Sequence, residues 1–114
     1  MFNFEKLDVW QKAIDFADQV YNPTWNFPSD ERFGLTTQMR RAAVSVSSNI
    51  AEGTSRLSQT DFARFVEIAT GSVFEVVSQS FIGRRQGFLK EEQIATCTLR
   101  LGKLVVCSAG CENR

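Results

Sequence analysis

Apolar residues spaced three and four apart constrain this chain more than any other feature. The pattern runs through most of the sequence, and its clearest break lies at the prolines Pro23 and Pro28, which favour turns and interrupt helices. This spacing brings side chains onto one face of an α-helix, whereas a half-buried strand alternates apolar and polar residues. No alternating run occurs, so the sequence predicts an all-α protein.

Four helices are predicted, over residues 6–22, 30–52, 59–84 and 90–109. Ser29 and Ser58 are expected to cap the second and third helices, because a serine side chain accepts hydrogen bonds from the free N–H groups of a first turn. Gly53 is expected to end the second helix. Helices of this length with short links pack as an antiparallel up-down-up-down four-helix bundle. The 114 residues fit a single domain, residues 1–114.

The apolar faces of the first two helices are wider than a helix facing one core requires. In the first helix two apolar stripes merge into an arc of about 180°. In the second helix Phe33, Val44 and Ala51 form a separate apolar line, which would stay exposed if the bundle were monomeric. We therefore expect subunit contacts in a homo-oligomer at Val9, Ala13, Phe16, Val20, Phe33, Val44 and Ala51.

The composition excludes several classes of protein. The chain contains no histidine, so it has no Ser-His or Cys-His nucleophilic pair and no histidine-ligated metal site. Its three cysteines, an odd number placed late in the chain, do not fit a secreted disulfide framework. The start lacks a signal-peptide pattern, and no apolar run approaches the length of a membrane span. We expect a cytoplasmic, non-enzymatic protein without membrane contact, metal or cofactor.

Charge is unevenly distributed although the chain is neutral overall. Residues 1–31 carry two basic and six acidic side chains, whereas residues 32–64 carry five basic and two acidic ones. Nine of the thirteen bases are arginine, which suits bidentate contacts to phosphate or carboxylate. The candidate nucleic-acid contacts are Arg40, Arg41, Arg56, Arg64, Arg84 and Arg85. The alternative is that an acidic first helix pairs with a basic second one, within or between subunits.

Polar residues gather on one side of the second helix. Asn49 and Glu52 have two interpretations. They form a recognition or catalytic pair, or they are structural, with hydrogen bonds to the link at residues 53–58 and pairing with an arginine across the bundle. Asparagine has a poor helix propensity, and a lone carboxylate without a base makes a poor active site. The structural interpretation is therefore favoured. Trp25 and Phe27 are expected to pin the proline-rich link onto one end of the bundle.

A set of short motifs resembles a known family. The motifs are Leu7-Asp8-Val9-Trp10, Phe33-Gly34-Leu35, Arg40-Arg41-Ala42 and, most specific, Asn49-Ile50-Ala51-Glu52-Gly53. They resemble the four-helix-bundle proteins called 23S rRNA intervening-sequence or "S23 ribosomal" proteins, over about residues 4–106. The resemblance extends to accessory proteins of diversity-generating retroelements. It implies a ring-shaped homopentamer, and for the retroelement relatives a basic surface that engages nucleic acid, but it carries over no catalytic residues.

Two hypotheses of function follow. The first is a non-enzymatic, pentameric helical-bundle protein that binds RNA or DNA through an arginine-rich surface. The second is a ring-forming adaptor for a protein partner, with no nucleic-acid role. Affinity for nucleic acid that fades with salt distinguishes the first from the second.

Overall fold

The structure, a computed structural model, describes residues 2–93, and this part of the chain is all-helical. Three long helices are α1 (Asp8–Thr24), α2 (Leu35–Thr54) and α3 (Gln59–Arg85). Short 3₁₀ turns at Asn3–Lys6 and Ser29–Glu31 precede α1 and α2. Residues 91–93 are helical, and the rest of the fourth helix expected at 90–109 lies outside the described residues. The all-α prediction is confirmed, and the up-down-up-down path stays a prediction.

Helix α2 lies between α1 and α3. It packs against both, whereas α1 and α3 do not approach each other closely. The link between α2 and α3 is short, and the two run antiparallel, because Ser45 meets Ser72 while Gly53, later in α2, meets Phe62, earlier in α3. One side of α2 therefore faces α1 and another faces α3.

The buried face of α2 follows the helical spacing of apolar residues seen in the sequence. Its buried apolar side chains recur at spacings of three and four and meet the apolar faces of α1 and α3. They are Leu35, Met39, Ala42, Ala43, Val46 and Ile50. Val66, Ala69, Val73 and Val76 supply the buried face of α3, as the sequence predicts. The core of the described part therefore centres on α2.

The interface prediction is wrong for three residues of α1. Ala13, Phe16 and Val20 are at most 2% exposed within the single chain, and Val9 packs against the same core at its edge. These side chains are therefore not available to a second copy. An apolar arc of about 180° does not determine which part of it faces the core. In the folded chain α2 covers the part that contains Ala13, Phe16 and Val20.

The other proposed interface residues differ among themselves. Phe33 is 87% exposed and Val44 is 41% exposed, so both remain open to a partner, whereas Ala51 is half-buried. On α1, Ile14, which was not among the proposed interface residues, is 37% exposed. The surface of the single chain thus keeps large apolar side chains, but not those that the first helix was expected to present.

Helix α2 begins later than predicted. Ser29 opens the 3₁₀ turn, and its side chain does not cap α2. The free N–H of Leu35 instead donates to a carboxylate oxygen of Glu31, 3.1 Å away, which places a negative charge at the positive end of the helix dipole. The cap predicted for α3 is confirmed, because Ser58 Oγ accepts a hydrogen bond of 3.1 Å from the N–H of Asp61.

Gly53 does not end α2 as predicted. The helix continues to Thr54, with Ser55 as its C-cap. Gly53 is buried where a Cβ would lie 3.0 Å from atoms of Phe62 and Phe65. A small residue is needed here because α2 and α3 approach closely.

Helix α3 has an apolar composition along much of its length. By length and composition alone it could cross a membrane, and a third of its most apolar stretch is buried within the protein. Core helices pass the same test, so this feature is weak evidence for a membrane span. On its outer side Phe74 and Phe81 are 56% and 53% exposed, seven residues apart.

Candidate nucleic-acid interface

Arg40 is fixed in place at the junction of α1 and α2. Its Cζ lies 4.7 Å from the ring centre of Tyr21 and 4.7 Å from that of Trp25. Its Nε donates a hydrogen bond of 2.9 Å to Thr24 Oγ1. A guanidinium held against aromatic rings gains cation–π attraction and loses part of its conformational freedom. Arg40 is therefore positioned before any ligand binds.

The buried hydroxyl of Thr24 connects Arg40 to the end of α1. It lies 2.8 Å from the carbonyl oxygen of Val20 and 3.0 Å from that of Tyr21, and it donates to them. Its oxygen accepts from Arg40. Pro23 was expected to stop the helix, but the N–H of Trp25 still reaches the carbonyl of Tyr21 at 3.2 Å. This extension places Trp25 one turn after Tyr21, so both rings reach Arg40.

An open groove of about 420 Å³ lies beside this cluster. It is lined by Tyr21, Thr37, Arg40, Arg41, Val44 and Ser45, and we call it the Arg40 groove. Arg41 is exposed and Arg40 is half-buried. In the part of the chain that the structure describes, neither guanidinium forms an ion pair with a carboxylate. The groove therefore combines two positive charges with aromatic and apolar surface.

The other candidate arginines lie elsewhere. Arg56 follows the end of α2 and packs on the ring of Phe65, 4.9 Å from its centre, and Arg64 is exposed early in α3. Thirteen positions separate Arg41 from the end of α2 at Thr54, or about 20 Å at 1.5 Å per residue. The six arginines thus do not form one cluster.

The last two candidates lie at the end of α3. Arg84 forms a salt bridge of 3.3 Å with Glu91, and both side chains are substantially exposed. Arg85 is exposed. Of the six candidate arginines, the structure therefore brings two together in the Arg40 groove and pairs one with a carboxylate.

In the family motif on α2, Asn49 makes hydrogen bonds within the protein, whereas Glu52 is exposed. Asn49 Nδ2 donates to the carbonyl oxygen and the Oγ of Ser45, at 2.8 and 2.9 Å. Ser45 Oγ in turn lies 3.0 Å from Ser72 Oγ on α3. The expected bonds from Asn49 to the link at 53–58 are therefore not seen, because the amide bonds one turn back along α2.

Glu52 is the free member of the motif. Its side chain is exposed, and within residues 2–93 its carboxylate has no ion-pair or hydrogen-bond partner. Its backbone carbonyl accepts from Ser55 Oγ at 2.7 Å. Asn49 and Glu52 therefore do not act as a pair: the amide joins the α2–α3 contact, while the carboxylate faces solvent.

Sequence reasoning missed the aromatic residues that hold Arg40. Tyr21 was not among the candidate residues, and Trp25 was expected to pin the link. Phe27 does pin it, being 8% exposed and 5.4 Å from the ring of Phe88, but Trp25 is 72% exposed. The spacing of Tyr21 and Trp25 by four residues was the available signal, and Pro23 between them concealed it.

The arrangement suits recognition of an anion more than bond-making chemistry. Arginines present N–H donors that match phosphate or carboxylate oxygens, and adjacent rings offer stacking surface. No cluster of three acidic or cysteine side chains suited to a metal occurs in residues 2–93.

Comparison with known proteins identifies the family of the chain. A crystal structure of a protein of unknown function from the S23 ribosomal protein family of Bacteroides thetaiotaomicron superimposes with a TM-score of 0.80. The two chains are 20% identical over 90% of this chain and 95% of the other, so the likeness shows a shared fold. None of the curated proteins compared with the chain matches it. The family model described as 23S rRNA-intervening sequence protein matches residues 5–106, so the chain belongs to that family.

Proposed function

We propose that the chain is a non-enzymatic, self-associating helical protein of the cytoplasm that binds RNA or DNA through the Arg40 groove. The observation that carries this proposal is the fixed guanidinium of Arg40, packed on Tyr21 and Trp25 beside Arg41, which is exposed. Arginine side chains pair well with phosphate. Because Arg40 is already ordered, less entropy is lost when it binds.

The charge of the groove is local. The chain has thirteen basic and thirteen acidic residues, so no overall field attracts a polyanion. Five of seven charged residues between 32 and 64 are arginine, and Arg40 and Arg41 lie among them. Binding through these few contacts should weaken as salt rises, because each phosphate contact releases counterions.

The composition supports a binding role without catalysis. The chain has no histidine, and Glu52, the exposed carboxylate of the motif, has no base beside it in the described part of the chain. General acid–base catalysis requires a positioned pair of groups with matched roles. The proposal therefore assigns no reaction to this surface.

The apolar surface supports self-association. Phe74 and Phe81 are more than half exposed on one side of α3, and a spacing of seven residues places them two turns apart on one line. Large exposed apolar side chains aligned on one helix face are typical of interaction sites. The acidic first third and basic middle of the chain favour contact between unlike faces, which is the geometry that closes rings. The family resemblance favours a pentamer.

The test of the nucleic-acid role is the double variant Arg40→Gln/Arg41→Gln. Binding of an RNA hairpin with single-stranded flanks is measured by fluorescence anisotropy from about 50 to 200 mM salt. We expect the wild type to bind at low salt and the variant to bind at least about tenfold more weakly. The slope of log K against log salt should fall by about 1.5, the loss of two phosphate contacts.

The matched control is Arg56→Gln/Arg64→Gln, which removes the same charge at the other end of α2. It should change the affinity by less than about threefold, because these residues lie outside the groove. Equal weakening by both variants would place the site elsewhere. If the wild type shows no affinity at about 50 mM salt, the nucleic-acid role is wrong and a ring-forming adaptor for a protein partner becomes the better hypothesis.

A further inference from the structure

Trp25 does not line the Arg40 groove itself, but its ring contacts Arg40, which does. It is 72% exposed although it lies directly beside a buried cluster. One side of its ring contacts Arg40, whose Cζ is 4.7 Å from the ring centre. No other ring stacks on it within residues 2–93. A large, flat indole surface therefore remains open to solvent, at a cost in apolar hydration.

The guanidinium beside this ring retains free donors. Nε of Arg40 is used by Thr24, and no partner is seen for its other N–H groups among the described residues. Those groups point along the plane of the guanidinium, since all five N–H bonds lie in that plane. An open aromatic face and free phosphate donors thus adjoin each other.

We propose that the Arg40 groove binds single-stranded nucleic acid, with an unpaired base stacked on Trp25 and its phosphate on Arg40 and Arg41. This inference rests on the proposed function and deepens it by naming the class of ligand. Stacking needs a base whose face is accessible, and bases in a duplex are stacked on one another. Single strands bind proteins through this combination of a positive groove and aromatic platforms.

The groove favours a strand over a free anion. Val44 in its lining is 41% exposed, and the ring of Tyr21 also lines it. The exposed ring of Trp25 adjoins the groove at Arg40. A site for phosphate alone gains nothing from such surface, whereas the sugar and base of a nucleotide cover it. The exposure of Trp25 is then explained by the ligand that covers it.

The experiment compares three probes of about twelve nucleotides, within the usual range for single-strand sites. They are oligo(U) RNA, an abasic strand with the same phosphates, and a duplex RNA. We expect the wild type to prefer oligo(U) over both others. Trp25→Ala should weaken binding of oligo(U) by roughly 5- to 150-fold, the range for loss of one stacked base. It should weaken binding of the abasic strand much less, because Arg40 keeps its contact with Tyr21 and its hydrogen bond to Thr24.

Two further variants separate stacking from folding. Trp25→Phe keeps an aromatic face and should retain most of the affinity. Phe2→Ala removes a ring of matching exposure, 71%, outside the groove and should have no effect. With two tryptophans in the chain, Trp10→Phe makes Trp25 the single tryptophan, whose emission can be excited selectively over that of tyrosine. Its emission should be quenched by oligo(U) with the same Kd as anisotropy gives, and not by the abasic strand.

The outcomes distinguish this inference from the proposed function. If Trp25→Ala binds oligo(U) like the wild type while Arg40→Gln/Arg41→Gln weakens binding, the groove binds nucleic acid through phosphates and the stacking inference is wrong. Equal affinity for the duplex and oligo(U) leads to the same conclusion. If none of the three probes binds at low salt, the proposed function and this inference are both wrong.

Discussion

Two helical glycines, Gly53 and Gly71, show how much a single position depends on its surroundings. Gly53 in α2 is buried, and an added Cβ would lie 3.0 Å from Phe62 Cδ1 and from Phe65 Cβ. Gly71 in α3 is exposed, and a Cβ there would meet nothing within 4 Å. Neither has a positive φ, so the backbone at both positions accepts any residue. The difference between them is therefore steric.

Alanine should have opposite effects at these two positions. In Gly71→Ala the gain in helix propensity acts alone, so unfolding should become harder by about 0.5–1 kcal/mol. In Gly53→Ala the same gain is opposed by overpacking of about 1–3 kcal/mol, and Phe65 Cβ cannot retreat without moving α3. We expect a net loss of about 1 kcal/mol. Urea denaturation of both variants measures it, and stabilisation by Gly53→Ala would contradict the close packing of α2 on α3.

At the scale of the helices, the contact between α2 and α3 includes a short polar chain. Asn49 bonds to Ser45, and Ser45 meets Ser72 across the interface. Serine and asparagine side chains in a helix can form hydrogen bonds to nearby backbone groups and so compete with the helical hydrogen bonds. Here the amide satisfies the serine and holds its hydroxyl toward α3. The most specific family motif therefore contributes to packing through its asparagine.

Replacing this amide by a carboxylate tests its role. In Asn49→Asp a carboxylate oxygen faces the carbonyl of Ser45 in place of a donor, so we expect the free energy of unfolding to fall by about 1–3 kcal/mol. Glu52→Gln is the matched control in the same motif. Its side chain is exposed, so its effect should stay within about 0.5 kcal/mol. Thermal denaturation by circular dichroism compares them, and a neutral Asn49→Asp would show that the amide is not structural.

At the scale of the whole molecule, the single chain leaves much apolar surface uncovered. The large side chains that are more than half exposed include Phe33 at the start of α2 and Phe74 and Phe81 on α3. Ala13, Phe16 and Val20 of α1 are buried and Ile14 is 37% exposed, so the larger apolar surface left for a second copy lies on α3 and at Phe33, just before α2. We therefore place self-association there and not on α1.

The mass in solution tests this placement. The wild type should run, by light scattering at micromolar concentration, at about five times the 12.9 kDa of the chain, the mass of a pentamer. Phe74→Ser/Phe81→Ser should lower that mass, because it removes the apolar line on α3 while leaving the core intact. Leu57→Ser, at a fully exposed position between α2 and α3, is the control and should not. A monomeric wild type would contradict self-association.

The sequence alone determined the helical architecture of the described part. Spacings of three and four predicted the buried faces of α2 and α3, and Ser58 marked the start of α3, because periodicity and capping are local properties of a helix. The arginine-rich segment was also visible as a run of charge. The sequence therefore indicated Arg40 and Arg41 as candidate nucleic-acid contacts, but it did not distinguish them from the four other candidate arginines.

The tertiary structure decided which of these features face one another. It turned Ala13, Phe16 and Val20 inward, because a wide apolar arc fixes the period of a helix and not its rotation about its own axis. It carried α1 past Pro23 and so brought Tyr21 and Trp25 onto Arg40. Contacts between residues distant in sequence depend on how two helices pack, and no local pattern in either helix specifies that geometry.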